Sequence, residues 1–151
     1  MGTPARKTIL DDIGTTLATI TTGNGYKTTV LTVEAVGKGW GDVGAGAKPW
    51  LGYVPNQERL EYFPGGSIKA ILNLSILCHV DGSTQSARST SLNNLLDDLI
   101  QELAVDTSRS GNAISTTLTT VSTDEGSPDA NGFGSMVIAV DIPYLRTTSG
   151  S

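Results

Sequence analysis

The chain has one histidine, His79, and one cysteine, Cys78, side by side. Neighbouring residues leave a strand on opposite faces, so this pair cannot hold one ion. No second His and no Cys cluster exists to complete a structural zinc set. Cys78 falls in the apolar register of an alternating run and reads as a small buried hydrophobe rather than a reactive thiol. A Ser-His-Asp set would have to recruit His79 from mid-strand, and no G-x-S-x-G elbow supplies a nucleophile. Paired carboxylates occur at Asp11-Asp12, Asp97-Asp98 and Asp124-Glu125. The first two pairs fall on expected helices, where adjacent side chains diverge by about 100° and cannot share a proton or a metal. No lysine follows Lys69, which excludes a paired-acid nuclease site in its usual order. Gly39-Trp40-Gly41-Asp42-Val43-Gly44 matches G-x-G-x-x-G, but Ala45-Gly46-Ala47-Lys48-Pro49 cannot open the helix that a dinucleotide pyrophosphate needs. Lys38 and Lys48 do not complete a P-loop spacing, so residues 37–48 read as a glycine-dense loop. Asn73-Leu74-Ser75 has the form of a glycosylation sequon but lies mid-strand. No catalytic, cofactor-binding or metal-ligating residue is therefore expected.

The elements that would carry any site are easier to read. Residues 67–80 alternate without a slip, with Ile68, Ala70, Leu72, Leu74, Ile76, Cys78 and Val80 on one face. A final strand has Met136, Ile138, Val140, Ile142 and Tyr144 on one face, and a polar tail is expected from Arg146. Ile9, Ile13, Leu17 and Ile20 form the stripe of a first helix opened by Thr8, with Asp11 three residues on, and stopped by Gly23 and Gly25. Leu92, Leu95, Leu96, Leu99, Ile100 and Leu103 form the face of a second helix over about 91–104. Weaker signals give an extended run over 26–36 with apolar residues on both faces, interior to the sheet on one side and partly covered on the other, and a short edge strand at 49–54 that Pro49 and Pro55 favour. Residues 57–66 read as connector, ending in the turn Pro64-Gly65-Gly66. Residues 113–123 read as an exposed strand with Ile114 and Leu118 on one face and Ala113 and Val121 on the other, and 124–134 as a polar loop. The expected fold is α+β: a mainly antiparallel or mixed sheet of about four to five strands with two helices packed on one face.

Composition narrows the class further. At 151 residues the chain is expected to be one domain, with mobile termini near 1–5 and 147–151. One cysteine excludes an internal disulfide. No apolar run is long enough to span a bilayer and no signal-peptide region is evident, so a cytoplasmic, soluble protein is expected. Net charge is −5, and the ten basic residues are scattered, which disfavours nucleic-acid binding through the phosphate backbone. Only 17% of residues are charged, a surface suited to packing against other proteins.

The order of these pieces is familiar. An amphipathic helix ends near Gly23-Asn24-Gly25-Tyr26 and leads into a strand. A long strand then meets Leu92-Asn93-Asn94-Leu95-Leu96-Asp97-Asp98-Leu99. An Asp106 to Gly111 turn follows, with a strand ending in Thr123-Asp124-Glu125 and a closing strand through Val140-Asp141-Ile142-Pro143-Tyr144. Over nearly its whole length the chain resembles the tail terminator, or tail completion, proteins of long-tailed bacteriophages. The resemblance implies an α+β subunit of a hexameric ring. That ring would cap the head-proximal end of the tail tube, stop its growth and give the head or neck a docking surface. It implies a virion protein assembled in the host cytoplasm, not an enzyme, with no cofactor and no membrane. The partners implied are copies of itself, tail tube protein, a head-completion or neck protein and a tail sheath. DNA would pass through the ring without being read in sequence. The glycine-rich segment 37–48 departs from the family pattern. Another neck component (a head-closure protein or tube-to-sheath connector) and a small hydrolase with an unrecognised site are the alternatives. Candidate interface residues are Trp40 and Phe133, lone aromatics on polar loops that either dock on a partner or fold back over the sheet. Asp124 and Glu125 join them, as do Asp98 and Glu102, which share a helix face that meets either solvent or a basic partner subunit.

Overall fold

The computed structural model describes residues 5–39, 42–82, 84–105, 109, 113–124 and 134–147. Of the ends expected to be mobile, Ala5 and Thr147 belong to the first helix and the last strand, and 1–4 and 148–151 lie outside the described residues. Helix α1 spans Ala5–Leu17, strand β1 Thr32–Glu34, β2 Trp50–Tyr62, β3 Ser67–Val80, helix α2 Gln85–Val105, β4 Thr117–Asp124 and β5 Gly134–Thr147. The strands form one mixed sheet in the order β1-β2-β3-β5-β4, antiparallel throughout except that β1 runs parallel to β2. Both helices pack on the same face, so the expected α+β architecture is the one observed.

Two strands dominate the sheet because their alternation is unbroken. β3 and β5 pair residue for residue from Ser67–Thr147 to Val80–Gly134. Their helix-side residues, among them Leu72, Leu74, Ile76, Cys78, Ile138, Val140, Ile142 and Tyr144, are fully buried. Ile9, Ile13 and Leu17 of α1 and Ile20 beyond it close over one half of that face, and Leu92, Leu95, Leu99 and Leu103 of α2 over the other. A Cβ on Gly14 would collide with the Tyr53 ring, so the glycine lets α1 lie directly against β2. The hairpin joining β2 to β3 turns at Pro64-Gly65-Gly66. Gly65 and Gly66 adopt φ +87° and +82° there, which side chains on L residues resist, and the Phe63 N–H donates to the Ser67 carbonyl at 2.9 Å.

Several boundaries differ from expectation, each for a physical reason. α1 begins at Ala5, and Thr8 lies inside it; Lys7 and Asp11 form an i, i+4 ion pair at 3.0 Å across that first stretch. α2 begins at Gln85 because the Thr84 hydroxyl accepts the Ala87 N–H at 3.1 Å and caps the polar first turns. Of the run 26–36 only three residues pair, with Trp50–Gly52, and β1 is an edge strand rather than an interior one. The preceding backbone is held piecemeal, Val30 N–H on the Ile20 carbonyl and Leu31 N–H on the Pro49 carbonyl, both at 2.9 Å. The short strand and connector expected over 49–66 are one 13-residue strand, β2. A register shift between Pro55 and Gln57 breaks its period, and charges at Glu58, Arg59 and Glu61 hide the rest. In β4 a second shift, between Leu118 and Thr120, sets Leu118 opposite Val140 and Val121 opposite Ile138. Both face the helices, where alternation alone puts them on opposite faces. Arg146 belongs to β5, not to a tail.

Leu99 is fully buried in this core, Leu96 is partly buried and Ile100 is half exposed. Leu99→Ala should therefore cost about 2–5 kcal/mol in urea or thermal unfolding, the range for an emptied core site. Leu96→Ala should cost less, and Ile100→Ala should stay within about 0.5 kcal/mol of the parent. Equal losses at all three would show that the helix is rotated from this position.

Candidate functional site

Asp98 and Glu102, expected to meet solvent or a basic partner subunit, are engaged inside the chain. Asp98 is 1% exposed, and its Oδ1 accepts the backbone N–H of Lys27 at 2.9 Å. Glu102 Oε1 accepts from the Thr19 hydroxyl at 2.7 Å. The segment leaving α1 lays an otherwise unpaired backbone donor on α2, and a carboxylate there satisfies it. Asp97 faces outward and takes a hydrogen bond from Lys27 Nζ at 2.9 Å, which raises the lysine pKa. Asp124 is the last residue of β4, opposite Ser135. Trp40, Glu125 and Phe133 lie outside the described residues.

Two polar clamps fix the helical layer, one tying α1 to the sheet and one tying α2 to α1. In the first, Glu58 of β2 accepts from Tyr144 Oη and from Arg146 Nη1, each at 2.8 Å, with Arg6 Nε of α1 at 3.5 Å. Burial, with the hydrogen bond to Glu58 adding to it, pushes the Tyr144 phenol up to about 12. Beside this clamp is an open cavity of about 500 Å³ lined by Arg6, Lys7, Leu10, Tyr53, Pro55 and Arg146, among others. Its cations already have acid partners, Arg6 and Arg146 on Glu58 and Lys7 on Asp11. In the second clamp the fully buried Arg109 donates to the Leu103 carbonyl at the end of α2 and to the Thr16 hydroxyl, each at 3.2 Å. It lies 3.3 Å from Asp12. Neither arginine cluster carries a sequence motif, which is why spacing alone does not find them.

The sheet face away from the helices divides in two. At one end the glycine-rich segment folds onto it: His79 stacks on Trp50 with ring centroids 5.1 Å apart, and its Nε2 meets the Lys38 carbonyl at 2.6 Å. Val43 is buried beneath, and Lys48 is buried with Asp81 at 3.4 Å. The described part of this segment is thus pinned to the sheet rather than free, and no helix follows its glycines, only the three-residue turn Ala45–Ala47. His79 Nδ1 also lies 2.8 Å from Ser135 Oγ, a nucleophile–base distance, but the imidazole is closed in between Trp50 and Lys38. At the other end the face is bare and mixed, with Arg59, Glu61 and Lys69 beside Ile71 and Leu145. Asn56, Asn73 and Asp141 form a side-chain ladder across β2, β3 and β5, with contacts of 3.0 and 2.9 Å.

The sheet also has unpaired edges. β1 covers only Trp50, Leu51 and Gly52 of β2, so among the described residues no strand pairs with the outer edge of β2 from Tyr53 to Tyr62. None pairs with the outer edge of β4. Near these edges apolar residues are exposed: Leu60, Tyr62 and Phe63 at the β2–β3 tip, and Ile100, Val105, Ile114 and Val121 around α2 and β4. A cleft of about 340 Å³ lined by Ile100, Leu103, Ala104, Thr116, Thr117 and Leu118 opens between α2 and the start of β4. The tip is the feature that sequence reading missed. The clue was Leu60, Tyr62 and Phe63 placed directly before Pro64-Gly65-Gly66, where a hairpin has its first strand.

Among the described residues no three His, Cys, Asp or Glu side chains converge on a possible metal site, and no helix is long and apolar enough to cross a membrane. The chain matches no protein-family model and no curated protein sequence.

Glu58 is the clamp whose loss should be most legible. Glu58→Ala removes the acceptor of Tyr144 and Arg146 while both arginines keep access to water, so it should cost about 1–3 kcal/mol by chemical denaturation. A variant as stable as the parent would mean that the clamp is ornamental to the fold.

Proposed function

We propose that this protein is a ring-forming structural subunit of the tail terminator class, capping the head-proximal end of a phage tail tube. The observation that carries the reading is a sheet finished on one face only. Its helix side holds a complete core, while its other face is partly bare and both of its long edges lack strand partners among the described residues. Exposed sheet edges are templates for further pairing, and copies joined head to tail around a rotation axis bury them in a closed ring. The bare half of the open face is not basic on balance: Arg59 and Lys69 share it with Glu61, Asp141 and the amides of Asn56 and Asn73. A wall of that kind lets DNA pass without the counterion release that would hold it fast. Ring closure would leave two flat ends, one for the tube protein and one for the neck.

The same unfinished sheet supports a head-closure protein or tube-to-sheath connector, and tail length separates these from a terminator. Phage lacking this protein should make tubes longer than normal, and added protein should restore a sharp length. The purified chain should sediment as a ring, in isolation or once tube ends are supplied. Tubes of normal length in the knockout would favour the connector, and a chain that stays monomeric with tubes present would remove the ring altogether. The Ser135–His79 contact is what a hydrolase reading has to rest on. Covalent labelling of Ser135 by a fluorophosphonate, abolished in His79→Ala, would favour it.

A further inference from the structure

Resting on the ring reading above, we infer that the ring closes by heterologous edge pairing. The outer edge of β4 in one copy would pair with residues 57–62 of β2 in the next, and the neighbour's Tyr62 would fill the cleft between α2 and β4. Three independent features converge on this pairing. The first is strand direction. β2 and β5 each run antiparallel to β3, and β4 runs antiparallel to β5, so β4 and β2 point oppositely. Side by side in a continuous sheet with the helices on one side, they form an ordinary antiparallel ladder.

The second is offset. Through β5 and β3, Thr117 lies level with Asn73 and Asp124 level with His79. The free stretch of β2 lies level with Ile68 to Ile76. The two edges overlap in level only at 73–76, with β4 reaching toward one end of the sheet and the free part of β2 toward the other, so pairing Tyr62 with Leu118 displaces each copy along the strands relative to the last. Such a stagger is what a sheet needs in order to close on itself. β1, which covers the other end of β2, is left clear.

The third is the parity of the faces. Tyr62 pairs with Ile68 and Leu60 with Ala70, both helix-side positions, so Leu60 and Tyr62 point to the helix side of the hairpin. Helices do not reach that far, and Tyr62 is 70% exposed. Leu118 also faces the helix side and lines the cleft. Facing residues of a ladder share a face, so Tyr62 opposite Leu118 carries its ring over Ile100, Leu103 and Ala104. The cleft lining is uncharged and residues 117–123 of β4 carry no charge, so Arg59 and Glu61 of the incoming strand meet no like charge. Those β4 residues also lack the proline or lysine that commonly protects an edge. Pro55 is tolerated because that part of β2 is an edge inside the single copy.

Cross-linking tests the pairing directly. Tyr62→Cys and Ile100→Cys, singly and together, would be treated with a short bismaleimide, with tail-tube ends present where assembly needs them. Cys78 is buried and its thiol pKa is pushed far up by burial, so it stays silent. The expected result is a covalent ladder that ends at the ring size in the double variant and none in either single variant, with parental melting curves throughout. Dimers from Tyr62→Cys alone would mean a two-fold contact, and rings that form without cross-linking in the double variant would mean another interface. Either outcome overturns this pairing and leaves the ring reading standing; absence of any assembled species from the parent chain would remove both. As a second readout, Tyr62→Asp should leave the monomer's stability intact and weaken assembly at least tenfold, with Ile100→Lys restoring part of it. Unchanged assembly in Tyr62→Asp would also overturn the inference.

Discussion

The antiparallel ladder between β3 and β5 is the constraint on which the rest of the structure depends. Fourteen residues of each strand pair without a shift. Every second side chain from Ile68 to Val80 and from Met136 to Tyr144 is apolar and turned to one side, and burying a large one is worth about 1.5–3 kcal/mol. A one-residue slip would throw both apolar sets into water, so the register is strongly specified. β2 and β4 then add to a template that already exists, and both tolerate a register shift because β3 and β5 do not have one.

The helical layer is positioned as much by polar groups as by its leucines. Apolar stripes fix which face of α1 and α2 turns inward, but a stripe can slide along a sheet. Asp98 receives one particular backbone amide, Glu58 gathers Arg6, Tyr144 and Arg146, and Arg109 joins the end of α2 to α1. Removing one member leaves a polar group in an environment that charges for it, so each alternative docking position is disfavoured. These contacts select one arrangement among several that would bury similar apolar area.

An asymmetry follows from this economy. With both helices on one face, among the described residues the opposite face has only the segment around Val43 and Lys48 to cover it, and the ends of the strand order remain open. A monomer that had to remain alone would be expected to carry charge or proline along both edges; β4 carries neither before Asp124. The exposed tyrosine at the hairpin tip and the apolar cleft beside β4 lie at the two ends of the same sheet. Association between unlike surfaces of identical copies is the arrangement that makes use of both.

The amino-acid sequence by itself determined the fold class, β3, most of β5 and the burial of Cys78. It determined as well the inward stripes of both helices, apart from Ile100, which is half exposed, and Ile20, which is buried beyond the end of α1. Each of these is written as a period along consecutive residues, and a period is legible without knowing any partner. Tertiary structure alone decided that β2 is one strand and not a strand with a connector, that β1 is a parallel edge, and that Leu118 and Val121 share a face. The two register shifts and the pairings that cause them belong to distant segments. It also decided that Asp98 is turned inward and that Arg109 is buried, because a charge reads as surface until the group that neutralises it is known. The extent of the free edges and the tip–cleft pair were beyond sequence for the same reason. Pro49 and Pro55 mark an edge locally, but how much of an edge stays open is set by the strand that is not beside it.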